Sequence, residues 1–318
     1  MRTRILLTAM LLSPASGMAD MPVFTPVQPE LFSDPGGQSN AWGDYDGDGD
    51  LDLVVLFNDA PVRLYRNGDE GFSNVAPGSG LPADGGNPRS IAWGDYDRDG
   101  DIDLYIGYSG RDGPPNRLYR NDTTGGNAAF TEVGEAAGVA ISGFTRQVSF
   151  VDYDSDGDLD LYVALRAGVN RLLQNNDGKF SDVTFETGIA EPRRTVGACW
   201  FDYDSDGDLD LFTANQNGDR DGLFRNDDGR FSDVAIELDI DQRRRVLRGG
   251  PLLELGMMIL AAESAARLVA RTTQRGVKVG PYGHIFGICC VVAARAVAVL
   301  TLNICQMRRS LQVHEAAG

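Results

Sequence analysis

Residues Trp42–Leu53 read WGDYDGDGDLDL, and the phrase returns three more times: WGDYDRDGDIDL at Trp93–Leu104, FVDYDSDGDLDL at Phe150–Leu161 and WFDYDSDGDLDL at Trp200–Leu211. Counted from Asp44, Asp95, Asp152 and Asp202, the copies stand 51, 57 and 50 residues apart. Self-similarity at a long, near-constant period means one supersecondary unit per repeat, with neighbouring units burying each other's apolar faces.

Each unit reads as four short strands. An apolar strand runs into the aspartate loop and a second leaves it, as in Leu51–Phe57 and Leu159–Leu165. A third carries Leu-Tyr-Arg-Asn at Leu64–Asn67 and Leu118–Asn121, with looser forms at Leu172–Asn175 and Leu223–Asn226. The fourth opens with Phe-Ser/Thr-x-Val at Phe72–Val75, Phe130–Val133, Phe180–Val183 and Phe231–Val234. Asn67-Gly68, Asp177-Gly178 and Asp228-Gly229 are residue pairs that accept the positive φ of a tight hairpin. Four-stranded units of about 50 residues without helical periodicity predict an all-β fold, a β-propeller with one sheet per blade.

The loops themselves follow D-x-D-x-D-G-x-x-D. Alternate carboxylates in a tight turn converge on a common point, and a hard cation such as calcium takes roughly six to eight oxygens. The glycine at position six permits a reversal that is costly for other residues. The expected metal-binding residues are Asp44, Asp46, Asp48, Asp50 and Asp52 in the first loop, and Asp95, Asp97, Asp99, Asp101 and Asp103 in the second. In the third they are Asp152, Asp154, Asp156, Asp158 and Asp160, and in the fourth Asp202, Asp204, Asp206, Asp208 and Asp210. Position seven of each loop (Asp50, Asp101, Asp158, Asp208) is expected to offer its main-chain carbonyl, and position nine closes the cage where the next strand begins. An EF-hand would need a bidentate Glu at position twelve, where this chain has Val55, Ile106, Val163 and Thr213. About four Ca2+ per chain are therefore expected.

These motifs resemble the FG-GAP/VCBS repeats, the calcium-loop propellers of integrin α-chains and of many bacterial exported proteins. The DYDxDGDLDL form followed by LYRN and F[ST]xV closely resembles bacterial members often joined to an ASPIC/UnbV domain. The likeness covers about residues 24–240. It implies a propeller, usually of about seven blades, with calcium in the loop between a blade's first two strands and ligands at loop positions one, three, five and nine. All sixteen of those positions are Asp here. Only four units are recognisable, so the expectation is a partial propeller, an open arc of four blades. Phe24-Thr25-Pro26-Val27 matches the fourth-strand phrase without three strands before it.

Charge divides the chain. Its net charge is -17, which argues against a nucleic-acid partner. Residues 241–318 hold 11 Lys/Arg against 4 Asp/Glu, leaving 18 against 42 in 1–240. A change of this kind places a boundary near Asp241. Beyond it no aspartate loop occurs. Pro251–Arg271 reads as a helix, and Ile285–Cys305 is an apolar stretch whose central Arg295 would cost about 2.5–3.5 kcal/mol in a bilayer. Three readings of this basic, apolar tail stay open: a frameshift or truncation artefact, a genuine membrane or partner-binding tail, and a small helical cap. At the other end, Arg2 and Arg4, the apolar run Ile5–Leu12 and the small residues Gly17 and Ala19 read as a signal peptide over 1–19. That predicts a secreted, periplasmic or cell-surface location.

Enzyme chemistry finds little footing. His284 and His314 are the two histidines and both lie in the tail, so residues 1–240 have no Ser-His or Cys-His nucleophile system and no His-based zinc site. Glu132, Glu135, Glu186 and Glu191 lie outside the loops and read as solvated faces. Trp42, Trp93 and Trp200 recur in register and read as inter-blade core. Arg66, Arg120 and Arg225 read as partners of neighbouring acidic loops, and Cys199 as a small buried residue. The expected function is that of an exported calcium-binding repeat protein, an interaction or adhesion scaffold for a protein or carbohydrate ligand. Two alternatives remain at this stage, a propeller-borne carbohydrate-active hydrolase or lyase and a non-functional gene fragment.

Overall fold

The structure, a computed structural model, describes residues 26–238. The predicted signal peptide, Phe24-Thr25 and the tail segments Pro251–Arg271 and Ile285–Cys305 lie outside the described residues. The chain divides into two compact units, residues 1–34 and 35–318. In the described part of the first, the Leu31 N–H donates to the Gln28 carbonyl at 2.9 Å. Pro26 and Val27 carry no strand.

The described part of the second unit holds four antiparallel sheets of four strands, each in simple meander order. Blade one comprises β1 (Gly37–Gly43), β2 (Asp52–Phe57), β3 (Arg63–Gly68) and β4 (Gly71–Asn74). Blade two comprises β5 (Pro88–Gly94), β6 (Asp103–Tyr108), β7 (Arg117–Asn121) and β8 (Phe130–Glu132), followed by the single helical turn α1 (Gly134–Ala137). Blade three comprises β9 (Thr145–Val151), β10 (Asp160–Leu165), β11 (Arg171–Asn176) and β12 (Lys179–Asp182). Blade four comprises β13 (Thr195–Phe201), β14 (Asp210–Asn215), β15 (Gly222–Asp227) and β16 (Arg230–Asp233). The inner strands β1, β5, β9 and β13 pack side by side in that order. Among the described residues this is a partial β-propeller, four blades in an open run with no closed barrel.

The blades hold together through apolar faces on both sides of each second strand. Leu104 and Ile106 of β6 join a cluster with Val54, Leu56 and Leu64 of blade one, while Tyr105 points the other way, into a cluster with Leu161 and Val163 of blade three. Tyr162 of β10 and Leu211 of β14 meet in the third interface. Alternation therefore does not appear as apolar against polar. Every residue of β6, β10 and β14 is buried: β6 and β10 lie between two neighbouring blades, while Phe212 and Ala214 of β14 are covered on the far side by Val234 and Ala235 of their own blade. A buried Leu or Ile contributes about 1.5–3 kcal/mol, so these strands carry much of the fold. In β2 the side facing away from blade two is half-exposed at Leu53 and Val55.

Two sequence expectations need correction here. Trp200 is buried at 5% exposure against Tyr162 and Phe231, but Trp42 is 52% exposed. Trp93 lies against Gly43 of blade one and Trp200 against Tyr162 and Ser149 of blade three, and among the described residues no sheet precedes blade one. Asn67-Gly68 does not form the hairpin turn either. Gly68 pairs with Gly71, and the positive φ falls on Gly71. Asp177-Gly178 and Asp228-Gly229 do turn with positive φ at both residues. Cys199 is half-buried in β13.

Candidate metal centres

Each aspartate loop bridges the first and second strand of its blade and ends as the second begins. Its glycine at position six lies at φ 95, 100, 92 and 105 in Gly49, Gly100, Gly157 and Gly207, where a side chain would be strained. Position four is also left-handed, and only the first loop has glycine there. Arg98, Ser155 and Ser205 take φ 58, 58 and 68. The conformation is held by the acids themselves. The N–H of the glycine donates to the first aspartate, as Gly49 does to Asp44 at 3.0 Å and Gly157 to Asp152 at 3.2 Å. The N–H at position seven donates to the fifth, as Asp50 does to Asp48 and Asp208 to Asp206, both at 3.0 Å.

This folding brings one carboxylate oxygen from each of three acids within 4.8 Å of one another in every loop: Asp44, Asp46 and Asp48; Asp95, Asp97 and Asp99; Asp152, Asp154 and Asp160; Asp202, Asp204 and Asp206. Positions one, three and five converge in the first, second and fourth loops, and positions one, three and nine in the third. An Oδ1 of each of Asp95, Asp97, Asp152 and Asp154 is buried with no hydrogen-bond partner among the described residues. Clustered, dehydrated anionic oxygens without donors are what a hard divalent cation takes as ligands. The donor set fits, and these clusters could hold a metal ion.

Charge crowding shows in the acid strengths. Burial, reinforced by neighbouring loop acids, raises the carboxyls of Asp46, Asp97 and Asp204 above the ordinary range. Asp48 is held below it, chiefly by the Asp50 N–H. In the first loop the Arg66 guanidinium pairs with Asp46 at 2.6 Å and with Asp48 at 3.3 Å. Arg120 and Arg225 turn instead to Asp122 and Asp227, each two residues further along the chain. The expectation that all three arginines serve acidic loops holds for Arg66 alone.

Position nine, which joins the cluster in the third loop, is also held by main-chain donors. Asp52, Asp103, Asp160 and Asp210 are fully buried. In each, Oδ2 accepts the N–H of the loop's tyrosine and Oδ1 accepts the N–H of the asparagine in the third strand. For Asp160 these are Tyr153 at 3.2 Å and Asn175 at 2.8 Å, and for Asp210 Tyr203 and Asn226, both at 2.8 Å. Burial pushes Asp52 up to about 6 and Asp103, Asp160 and Asp210 up to about 7, against the pull of those two N–H donors. Position seven faces elsewhere. Asp50 and Asp101 are exposed, while Asp158 and Asp208 accept the N–H groups of the hairpin residues Asp177 and Asp228 at 3.4 and 2.9 Å.

Three groups of residues have roles that the sequence did not reveal. Asn121, Asn175 and Asn226 each donate from Nδ2 to the main-chain carbonyl of the tyrosine in the preceding blade's loop, all at 2.7 Å. The signal was present, since Leu and Asn are the two constant residues of the third-strand phrase while Tyr and Arg vary. Arg98 reaches from the second loop to Asp158 of the third and to Asp177 at 2.9 Å. Glu191 is not a solvated acid. It is 1% exposed, pairs with Arg193 and accepts from Asn215 Nδ2 at 2.7 Å. Burial raises its carboxyl above the ordinary range despite the arginine. Glu132, Glu135 and Glu186 are exposed.

Comparison with known proteins adds a family. A model of the FG-GAP-like repeat matches residues 44–106, 99–163 and 152–213, each window running from one aspartate loop into the second strand of the following blade. Human cartilage acidic protein 1 is 28% identical over 129 residues, which cover 39% of this chain. The chain spans 19% of the length of that curated relative. Among solved structures, BBS1N in complex with ARL6DN aligns with a TM-score of 0.40 at 14% identity, covering 62% of this chain and 57% of that one. The V. cholerae biofilm matrix protein Bap1 aligns with a TM-score of 0.36 at 16% identity, over 62% of this chain and 30% of its own. The exotype rhamnogalacturonan lyase YesX gives 0.35 at 14% identity, over 62% and 48%.

Proposed function

Because the chain belongs to the FG-GAP-like repeat family, we propose that it is an exported calcium-binding repeat protein whose loaded loops stiffen a scaffold for a protein or carbohydrate ligand. The observation that carries the calcium reading is the set of buried, donor-less carboxylate oxygens at the loop centres of blades two and three. Positions one, three, five and nine would supply side-chain oxygens and position seven its carbonyl, with position nine also tying the loop to the strand side. A bound divalent cation would offset the burial, and behind it the neighbouring loop acids, that raise Asp46, Asp97 and Asp204.

The role is structural before it is anything else. A site with a Kd of ~0.1 mM in ~1 mM calcium adds roughly 1.4 kcal/mol to folding. Four such sites rival the whole net stability of an ordinary domain, so an extracellular calcium level would decide whether the scaffold stands. A secreted, periplasmic or cell-surface setting supplies that level.

The test is metal analysis of the purified, folded protein together with thermal melts. About four calcium ions per chain are expected, and EGTA should lower the Tm by about 10–20 °C for a domain of this size. A folded sample that contains no calcium and melts identically in EGTA overturns the reading.

A further inference from the structure

The three asparagines that close onto the preceding blade do more than join sheets. Each sits between two metal loops and touches both. The Asn175 side-chain amide donates to the Tyr96 carbonyl in loop two at 2.7 Å and to the Leu159 carbonyl in loop three at 3.0 Å, while its main-chain N–H donates to Asp160 Oδ1 at 2.8 Å. Asn226 repeats the set one blade on, to Tyr153 at 2.7 Å, Leu209 at 3.1 Å and Asp210 at 2.8 Å. Asn121 repeats it one blade back, to Tyr45 at 2.7 Å, Ile102 at 3.1 Å and Asp103 at 2.8 Å. None of the three exceeds 2% exposure, so water does not compete for these bonds.

The tyrosine that receives the amide lies between the first and third acids of its own loop. Its own N–H, in turn, holds the ninth acid. The Tyr96 N–H donates to Asp103 at 3.1 Å and the Tyr153 N–H to Asp160 at 3.2 Å. A continuous run of hydrogen bonds therefore leads from the acids of one loop, through its tyrosine carbonyl and a single asparagine, to the ninth acid of the next loop. Next to it, the hairpin glycine of the following blade fits against the same tyrosine and the third acid. A Cβ on Gly178 would lie 3.4 Å from Asp97 Cβ and Tyr96 Cε2.

We infer that Asn121, Asn175 and Asn226 are positioning residues that couple neighbouring calcium sites, so that filling one loop raises the affinity of the next. Ordering loop two fixes the Tyr96 carbonyl, which fixes the Asn175 amide and main chain, which hold Asp160. The second ion then meets a loop whose ordering has already been done, which is positive cooperativity by pre-organisation. The inference rests on the calcium reading above, and the experiment separates the two.

The full chain carrying Asp44→Asn and Asp202→Asn retains loops two and three. Its calcium isotherm, measured by calorimetry, is expected to show a second ion bound about five-fold more tightly than independent sites allow, the lower end of ordinary coupling. Asn175→Ala in that background should return the two sites to independence. If Asn175→Ala does not fold, Asn226→Ala in an Asp44→Asn and Asp95→Asn background makes the same comparison for loops three and four. Two independent sites in the parent overturn the inference, as does an asparagine variant that weakens both sites while leaving their ratio unchanged, which is what a merely structural residue would do. A parent that binds no calcium at all sinks the calcium reading instead.

Discussion

Loops three and four have the same nine residues, DYDSDGDLD, at Asp152–Asp160 and Asp202–Asp210, yet they occupy different surroundings. In loop three Asp152 and Asp154 are half-buried, Asp158 is buried and Tyr153 is 4% exposed. In loop four Asp202 and Asp204 are exposed and Asp208 and Tyr203 are half-buried. The difference comes from the neighbour. Loop three is roofed by blade four, with Asn226 on the Tyr153 carbonyl and Gly229 against Tyr153 and Asp154. Loop three also receives Gln174 on Asp154 at 2.7 Å and Arg98 on Asp158. Among the described residues no blade follows the fourth, and no asparagine reaches Tyr203. Identical ligands thus sit in a pre-ordered pocket in one case and on an open turn in the other. Affinity depends on how much ordering remains to be done on binding, so loop three is expected to be the tighter site.

The same asymmetry should appear most strongly in the core. Trp200→Ala removes a side chain packed between blades three and four and should cost about 3–5 kcal/mol in urea unfolding. Trp42→Ala, the equivalent change on an uncovered face, should cost under about 1 kcal/mol. Equal costs would mean that a partner covers blade one as fully as blade three covers blade four.

Acidity tests what the two loops share. Asp160 and Asp210 both stand at about 7 in the fold, against about 4 in an unfolded chain. The folded state therefore holds protons that the unfolded state releases between those values. Stability from this source is present at low pH and declines as pH rises toward 7. In EGTA the Tm should fall by several degrees between pH 5 and pH 7.5, and excess calcium should flatten that slope. A Tm in EGTA that rises across the same range would show that the ninth acid is ionised in the fold without metal.

The smallest effect separates the loops directly. Asp152→Asn and Asp202→Asn should each remove one calcium ion per chain. In ~1 mM calcium the first should cost more than the second, by about a few tenths of a kcal/mol, since an unroofed site of lower affinity contributes less by mass action. A reversed order would place the tighter site in loop four.

The fold was largely legible because its signals are local. Phe-Ser/Thr-x-Val, the Asp-Gly turns of blades three and four and the apolar runs after each loop mark strands and hairpins from short-range chemistry, and the period assembles them. The hairpin of blade one escaped because Asn67-Gly68 carries a turn signal that the pairing of Gly68 with Gly71 overrides. Trp42 escaped because its fate depends on whether a sheet stands in front of it. In the site, the converging acids were readable from spacing. Glu191 was not, since nothing near it in sequence says that blades three and four will close over it.

The sequence by itself determined the repeat, the four-stranded blade and the acids that face one another, because each follows from short local phrases and their recurrence along the chain. The tertiary structure decided which loops are roofed, which tryptophan is covered and which asparagine joins two loops. Those bonds span more than seventy residues, as from Asn226 to Tyr153, and they exist only once separate sheets have stacked.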